Sequence, residues 1–203
     1  MDKKKVEEWR GIRDLIAAEV TTDTAEKFET GTPFSIAGVA ELSRTTESSS
    51  EAHYYDNVAA VIIDTTGADT VNIKASALPL DVTAKITGQH YDESKGMLVE
   101  GERDVPYFAI GYVTAKTDGT EVFVWRLKGK FSIPDNTHTT KDNSATANGQ
   151  DLIYTGADTT HKFTVGDKKK TAKSVVIDTS INAASEETFF ATVQTPDTVK
   201  ASV

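Results

Sequence analysis

The stretch VPYFAIGYVTAKTDGTEVFVWRLKGKFSI, residues 105–133, decides the fold class. It reads as two β-strands around a tight turn. Asp118-Gly119 is the strongest short hairpin signal in the chain, because both turn positions favour positive φ. In the second arm Phe123, Trp125, Leu127, Phe131 and Ile133 alternate with Val124, Arg126, Lys128, Lys130 and Ser132. That period of two predicts one core face and one face that turns basic towards its end. Arg126, Lys128 and Lys130 would then form a stripe on the polar face. Trp125 and Phe131 fall opposite the stripe, so it lacks the interleaved aromatics that hold single-stranded nucleic acid. It reads as a solvated face, or as a partner for acidic loops of another copy.

Strands also account for most of the chain around this hairpin. FSIAGVAELS (34–43) predicts a strand with Gly38 as a weak point or bulge, and RTTESSSE has loop composition. VAAVII (58–63) is a short, wholly apolar strand, and the turn-like DTTGAD would join it to TVNIK (70–74) as a hairpin. TGADT occurs at 66–70 and again at 155–159, which would fit a duplicated hairpin or chance. Residues 151–180 read as three strands with GAD and GDKKK turns. One helix stands out at about 76–87. Ser76 can cap it, Pro79 is tolerated in its first turn, Leu78, Val82 and Ile86 make a stripe, and Gly88 ends it. GIRDLIAAEV (11–20) fits a helix or a strand equally on periodicity.

Composition narrows the function. The 203 residues suit one β-rich domain, with residues 1–10 as a loose start, 134–149 as a long polar loop and 197–203 as a loose tail. A net charge of −9 repels phosphate and argues against tight nucleic-acid binding. There is no cysteine, so disulfides and thiolate zinc sites are excluded. The start lacks the apolar run of a signal peptide, and no stretch is long and apolar enough for a membrane span, so a soluble cytoplasmic product is expected.

EAHYYDN (51–57) is the most site-like cluster. A metal needs three or four converging ligands, and His53 has no second histidine nearby, so no metal or catalytic role is assigned. It reads as a polar loop closing onto VAAVII. Asp56 would either hold that loop's backbone amides or face a neighbouring molecule. His90, Tyr91, Asp92 and Glu93 form a similar cluster that reads best as a turn. No nucleophile elbow, phosphate-binding loop or dinucleotide fingerprint occurs, and no cofactor is expected.

The order of these features resembles the major tail protein of long-tailed phages and prophages, in the branch of non-contractile tails from Gram-positive hosts. GTPFSIAGVAELS (31–43) looks like the family's early strand, and EAHYYDN like its tyrosine-aspartate-asparagine segment. LDVTAKITGQHYDESKGML (80–98) looks like its helix, glycine stop and turn. Residues 105–134 are the most specific part, and TFFATVQTP (188–196) resembles its last strand. His53 departs from the pattern, standing where a small residue is usual. The resemblance implies a β-sandwich or barrel-like tail-tube fold with one helix packed on it, and makes residues 11–20 a strand. It implies a non-enzymatic virion protein that assembles with itself into stacked hexameric rings. It also implies a tape-measure protein, a tail terminator and distal tail proteins as partners, and DNA passing without specific binding. Tyr55, Asp56, Asn57, Arg126, Lys128 and Lys130 are the candidate structural or inter-subunit contacts. A rival reading is a non-catalytic immunoglobulin-like or lectin-like adhesion module; a small hydrolase using the scattered acids is another.

Overall fold

The computed structural model describes residues 6–140 and 148–200. The chain runs through β1 (Trp9–Asp23), β2 (Phe28–Thr30), β3 (Phe34–Ala37), β4 (Val39–Tyr55), β5 (Val58–Ala75), helix α1 (Leu80–Thr87), β6 (His90–Asp92) and β7 (Met97–Val99). It continues through β8 (Phe108–Lys116), β9 (Glu121–Phe131), β10 (Asp135–Asn136), β11 (Gln150–Gly156), β12 (Phe163–Val165), β13 (Lys168–Lys170), β14 (Ser174–Asp178) and helix α2 (Glu186–Phe190).

One antiparallel sheet dominates, in the order β2-β1-β8-β9-β11-β5-β4. β3 pairs with β1, while β4, which follows it after Gly38, pairs with β5. A single stretch of chain therefore bridges the two ends of the sheet, and the architecture is barrel-like. Gly38 is the corner: its carbonyl accepts the Ser76 amide at 2.7 Å and its amide reaches the Ser76 hydroxyl at 3.1 Å. Ser76 is thus committed to the corner and does not cap the helix, whose N-cap is Pro79 without a side-chain bond. The helix does end at Gly88, at φ 72°, where a Cβ would collide with the carbonyl of Asp104. Leu78 and Ile86 join the barrel interior, and Val82 packs beside them.

Both faces of the central strands are buried. Leu15, Ile73, Phe108, Ile110, Phe131, Leu152 and Tyr154 fill the interior. Ala109, Val113, Phe123, Trp125 and Leu127 form a second core on the outer face, covered by Phe163, Ile177, Phe189 and Val193. The covering segment includes α2, a helix where the last strand was expected. Ser185 accepts the Thr188 amide at 3.3 Å, and Glu186 and Glu187 suit its positive end. The Trp125 indole donates to the Phe189 carbonyl at 3.1 Å and fixes the cover.

A β-bulge explains where the expected two-face pattern of 121–133 breaks. β9 pairs Arg126 with Ile110 but Gly129 with Phe108, so β9 carries one extra residue there. Phe123, Trp125 and Leu127 therefore serve the outer core while Phe131 serves the interior. The turn also differs from expectation. Gly119 alone has positive φ, and Lys116 accepts the Gly119 amide while donating to Thr120, which is a longer hairpin loop than the two-residue type.

Residues 11–20 lie in β1, as the resemblance implied, with bends at Gly11 and Asp14 where φ is positive. β1 already includes Trp9 and Arg10 from the segment expected to be loose. Residues 151–180 hold four strands, and Lys168–Lys170 lie in β13 beyond a turn at Gly166. The two TGADT segments are not duplicated hairpins: Thr70 pairs with Thr155 and Asp69 with Gly156 across β5 and β11. His90–Glu93, expected to be a turn, is mostly strand: His90–Asp92 form β6, paired with β7, and the turn is 93–96, where Asp92 accepts the amides of Ser94 and Lys95 at 3.0 and 3.2 Å. Of the polar loop 134–149, Asp135–Asn136 pairs with β11, and 141–147 lie outside the described residues.

Candidate functional site

The largest departure from expectation is the hairpin of β4 and β5. RTTESSSE and DTTGAD are not loops but paired strand, in one ladder from Val39↔Ala75 to Tyr55↔Val58. Its turn is Asp56-Asn57, with φ of 50° and 62°. Two left-handed residues in a two-residue loop are what a type I′ turn needs, and Asp and Asn tolerate that region best after glycine. The distal part, from Ser48↔Thr66 outward, projects as an arm; eight residues at ~3.3 Å each carry its tip roughly 25 Å from the barrel.

The arm is apolar on both faces and buried on neither. Val61 and Ile63 stand opposite His53 and Glu51; Val58 and Ile62 stand opposite Tyr55 and Ala52. Ile62 is 62% exposed, Tyr54 68% and Tyr55 64%. VAAVII is strand, as expected, but its apolar side chains lie outside the core. The Asp56 carboxylate holds no loop amide; among the described residues no side chain from Glu51 to Asp64 makes a hydrogen bond or ion pair. An isolated two-stranded ribbon is marginal in water, and exposed apolar area on it marks a contact surface.

The bulge splits the expected basic stripe: it turns Arg126 away from Lys128 and Lys130, which both approach the Tyr107 ring. Arg126 is buried, with Nη1 2.9 Å from Asp69 and Nη2 3.3 Å from the Tyr112 hydroxyl. Lys128 reaches Asp23 at 2.6 Å, and Lys130 lies over the Tyr107 ring at 4.5 Å. Burial raises the Asp23 carboxyl, but Lys128 and the amides of Thr160 and His161 outweigh it and hold the carboxyl below its ordinary range. So none of the three is a simple solvated charge.

Asp69 lies at the base of the arm, buried, and it gathers more positive charge than it can balance. Besides Arg126, it has Arg44 at 3.6 Å and Lys173 at 3.8 Å, with the Thr46 hydroxyl donating at 2.8 Å. No local pattern marks this cluster, because Asp69 and Arg126 are 57 positions apart and each reads alone as a surface residue. Beside it opens a groove of about 810 Å³ between β1, β4, β8, β9 and β14, with Arg44 and Arg126 in its lining.

Among the described residues no group of acids and histidines is placed to hold a metal ion. No described helix is long and apolar enough to cross a membrane. The molecule is defined by a doubly covered β-barrel and an unpartnered arm, with no reaction centre assembled from the residues described. It is a structural β-protein of the kind that works through its surfaces. The family model for phage tail tube protein matches residues 33–195, and the chain belongs to that family. It is a phage tail tube structural protein. No curated protein matches the chain.

Proposed function

We propose that this chain is the repeating subunit of a tail tube in which six copies close a ring, rings stack, and genomic DNA passes down the bore. The arm carries the reading. A ribbon with apolar side chains on both faces is stable in water only against something else, and a homopolymer supplies that partner at every repeat. The net charge of −9 supports passage of DNA over retention, because phosphates are held by clustered lysine and arginine. In this reading the protein is made in the host cytoplasm, serves a non-contractile tail of a phage or prophage of Gram-positive bacteria, and meets a tape-measure protein, a terminator and distal tail proteins at the ends of the stack. Tyr55, Asp56 and Asn57 are inter-subunit contacts at the arm tip, while Arg126 and Lys128 hold the barrel together through Asp69 and Asp23 and Lys130 packs over Tyr107.

Negative-stain electron microscopy of the purified chain at rising concentration tests this. Six-fold rings and tubes of uniform width are expected. A chain that stays monomeric at millimolar concentration, even with its neighbouring tail proteins added, would contradict it.

A further inference from the structure

The groove beside Asp69 has a lining that asks for a particular occupant. Its rim is apolar and uncovered: Trp9 is 67% exposed and Val176 57% exposed. Leu42, Tyr112 and Val124 line it further in. Arg126 also lines it, is only 7% exposed, and its Nε is buried without an acceptor. A buried guanidinium N–H without a partner is costly. Arg44 stands at the same wall with a half-exposed side chain, sharing Asp69 with Arg126 and Lys173. Of the three cations around that buried carboxylate, Lys173 also has Asp158 at 3.8 Å, and the one acid in the groove lining, Glu41, is held by Lys74 at 2.8 Å. Arg44 and Arg126 thus share one carboxylate and leave the wall a single positive charge in excess. The fitting ligand is apolar or aromatic with a carboxylate at its end.

The arm tip has that chemistry. Tyr54, Tyr55 and Val58 are exposed, and Asp56 between them has a carboxylate with no partner among the described residues. The arm cannot serve its own groove. Arg44 and Thr46 lie where the arm leaves the barrel, and the tip points roughly 25 Å away. Resting on the tube reading, we propose that the groove of one copy receives the arm tip of a second copy, with Asp56 facing Arg44 and the tyrosines packed against Trp9 and Val176. Base and tip are different surfaces, so the contact is head-to-tail: it closes a ring or continues along a stack according to the rotation it imposes. Buried tyrosine and tryptophan supply affinity, and the charge pair sets register.

The chain has no cysteine, so introduced cysteines report cleanly. Tyr55→Cys chain mixed with Val176→Cys chain is expected to give a disulfide-linked heterodimer under mild oxidation. Tubes without that link would overturn the docking while leaving the tube reading standing. The link without tubes would support the docking and count against the tube. Neither result would sink both. A link within one copy between Lys4→Cys and Val176→Cys would assign the groove to the chain's own start and overturn the proposal. Charge reversal gives an independent readout. Asp56→Arg alone, or Arg44→Glu alone, is expected to raise the concentration needed for assembly about tenfold. The two together in one chain should restore it, because every contact then carries a reversed pair. Unchanged assembly in Asp56→Arg, or no recovery in the double variant, would overturn the pairing.

Discussion

The arm and the centre of the barrel are built from the same kind of antiparallel ladder and have opposite surroundings. In β8 and β9 almost every side chain is covered, whichever face it is on. In the arm almost every side chain is bare, and the apolar ones are on both faces. Hydrogen-bonded strand alone does not distinguish them; what each ladder packs against does. The centre carries its stability within one chain. The arm leaves its apolar side chains uncovered by the chain itself, and in the proposed tube a second copy covers them.

Substitutions should divide along that line. Trp125 is fully buried and anchors the Phe189 carbonyl, so Trp125→Ala should cost about 3–5 kcal/mol by denaturant unfolding, with the C-terminal cover loosened. A cost below about 1 kcal/mol would show that the outer core is not a core. Gly129 comes next. It sits at the bulge, where a Cβ would strike the Tyr154 ring and the Thr155 carbonyl, so Gly129→Ala should cost about 1–3 kcal/mol through overpacking.

Acid should act on the barrel and not on the arm. Pairing with Lys116 pulls the Asp178 carboxyl down to about 2, and Asp23 is held low as well. A depressed carboxyl stabilises the fold fully above its unfolded value, near pH 4, and loses that contribution as pH falls through its folded value. The melting temperature should therefore fall steadily between about pH 4 and pH 2. Asp23→Asn should melt lower at neutral pH and show a flatter acid slope; an unchanged slope would remove Asp23 from this account. A smaller effect is expected at the arm tip. Asn57→Gly relieves a left-handed residue, and should slow amide exchange in residues 50–63 by an opening free energy of up to about 1 kcal/mol, with global melting unchanged.

The barrel was largely legible and the arm was not, for one physical reason. Sequence patterns report what a residue prefers to bury against, but not in which molecule. Residues 105–133, 70–74 and 151–156 alternate against their own core, and the Gly88 stop is a local backbone requirement, so all of these could be read. VAAVII was read correctly as a strand, and its wholly apolar composition did not say that it would stand bare. SSS and TTGAD look like loops because their strand state comes from an extended ladder, not from side-chain packing. The stripe Arg126–Lys128–Lys130 failed at a single bulge, which has no local signature beyond Gly129. Asp69 and Asp23 could not be found, because their partners are remote in sequence. Asp56 and Asn57 were read as part of a polar loop, and the two-residue turn that they form was assigned instead to Asp118-Gly119.

The most direct test makes the arm polar without touching the barrel. Val61, Ile62 and Ile63 are 46%, 62% and 49% exposed, so V61S/I62S/I63S should leave monomer stability within about 0.5 kcal/mol of the parent. Sedimentation and negative-stain microscopy at concentrations where the parent forms tubes should then find only monomers. Tubes of normal width from the triple variant would contradict the claim that the arm holds the assembly together.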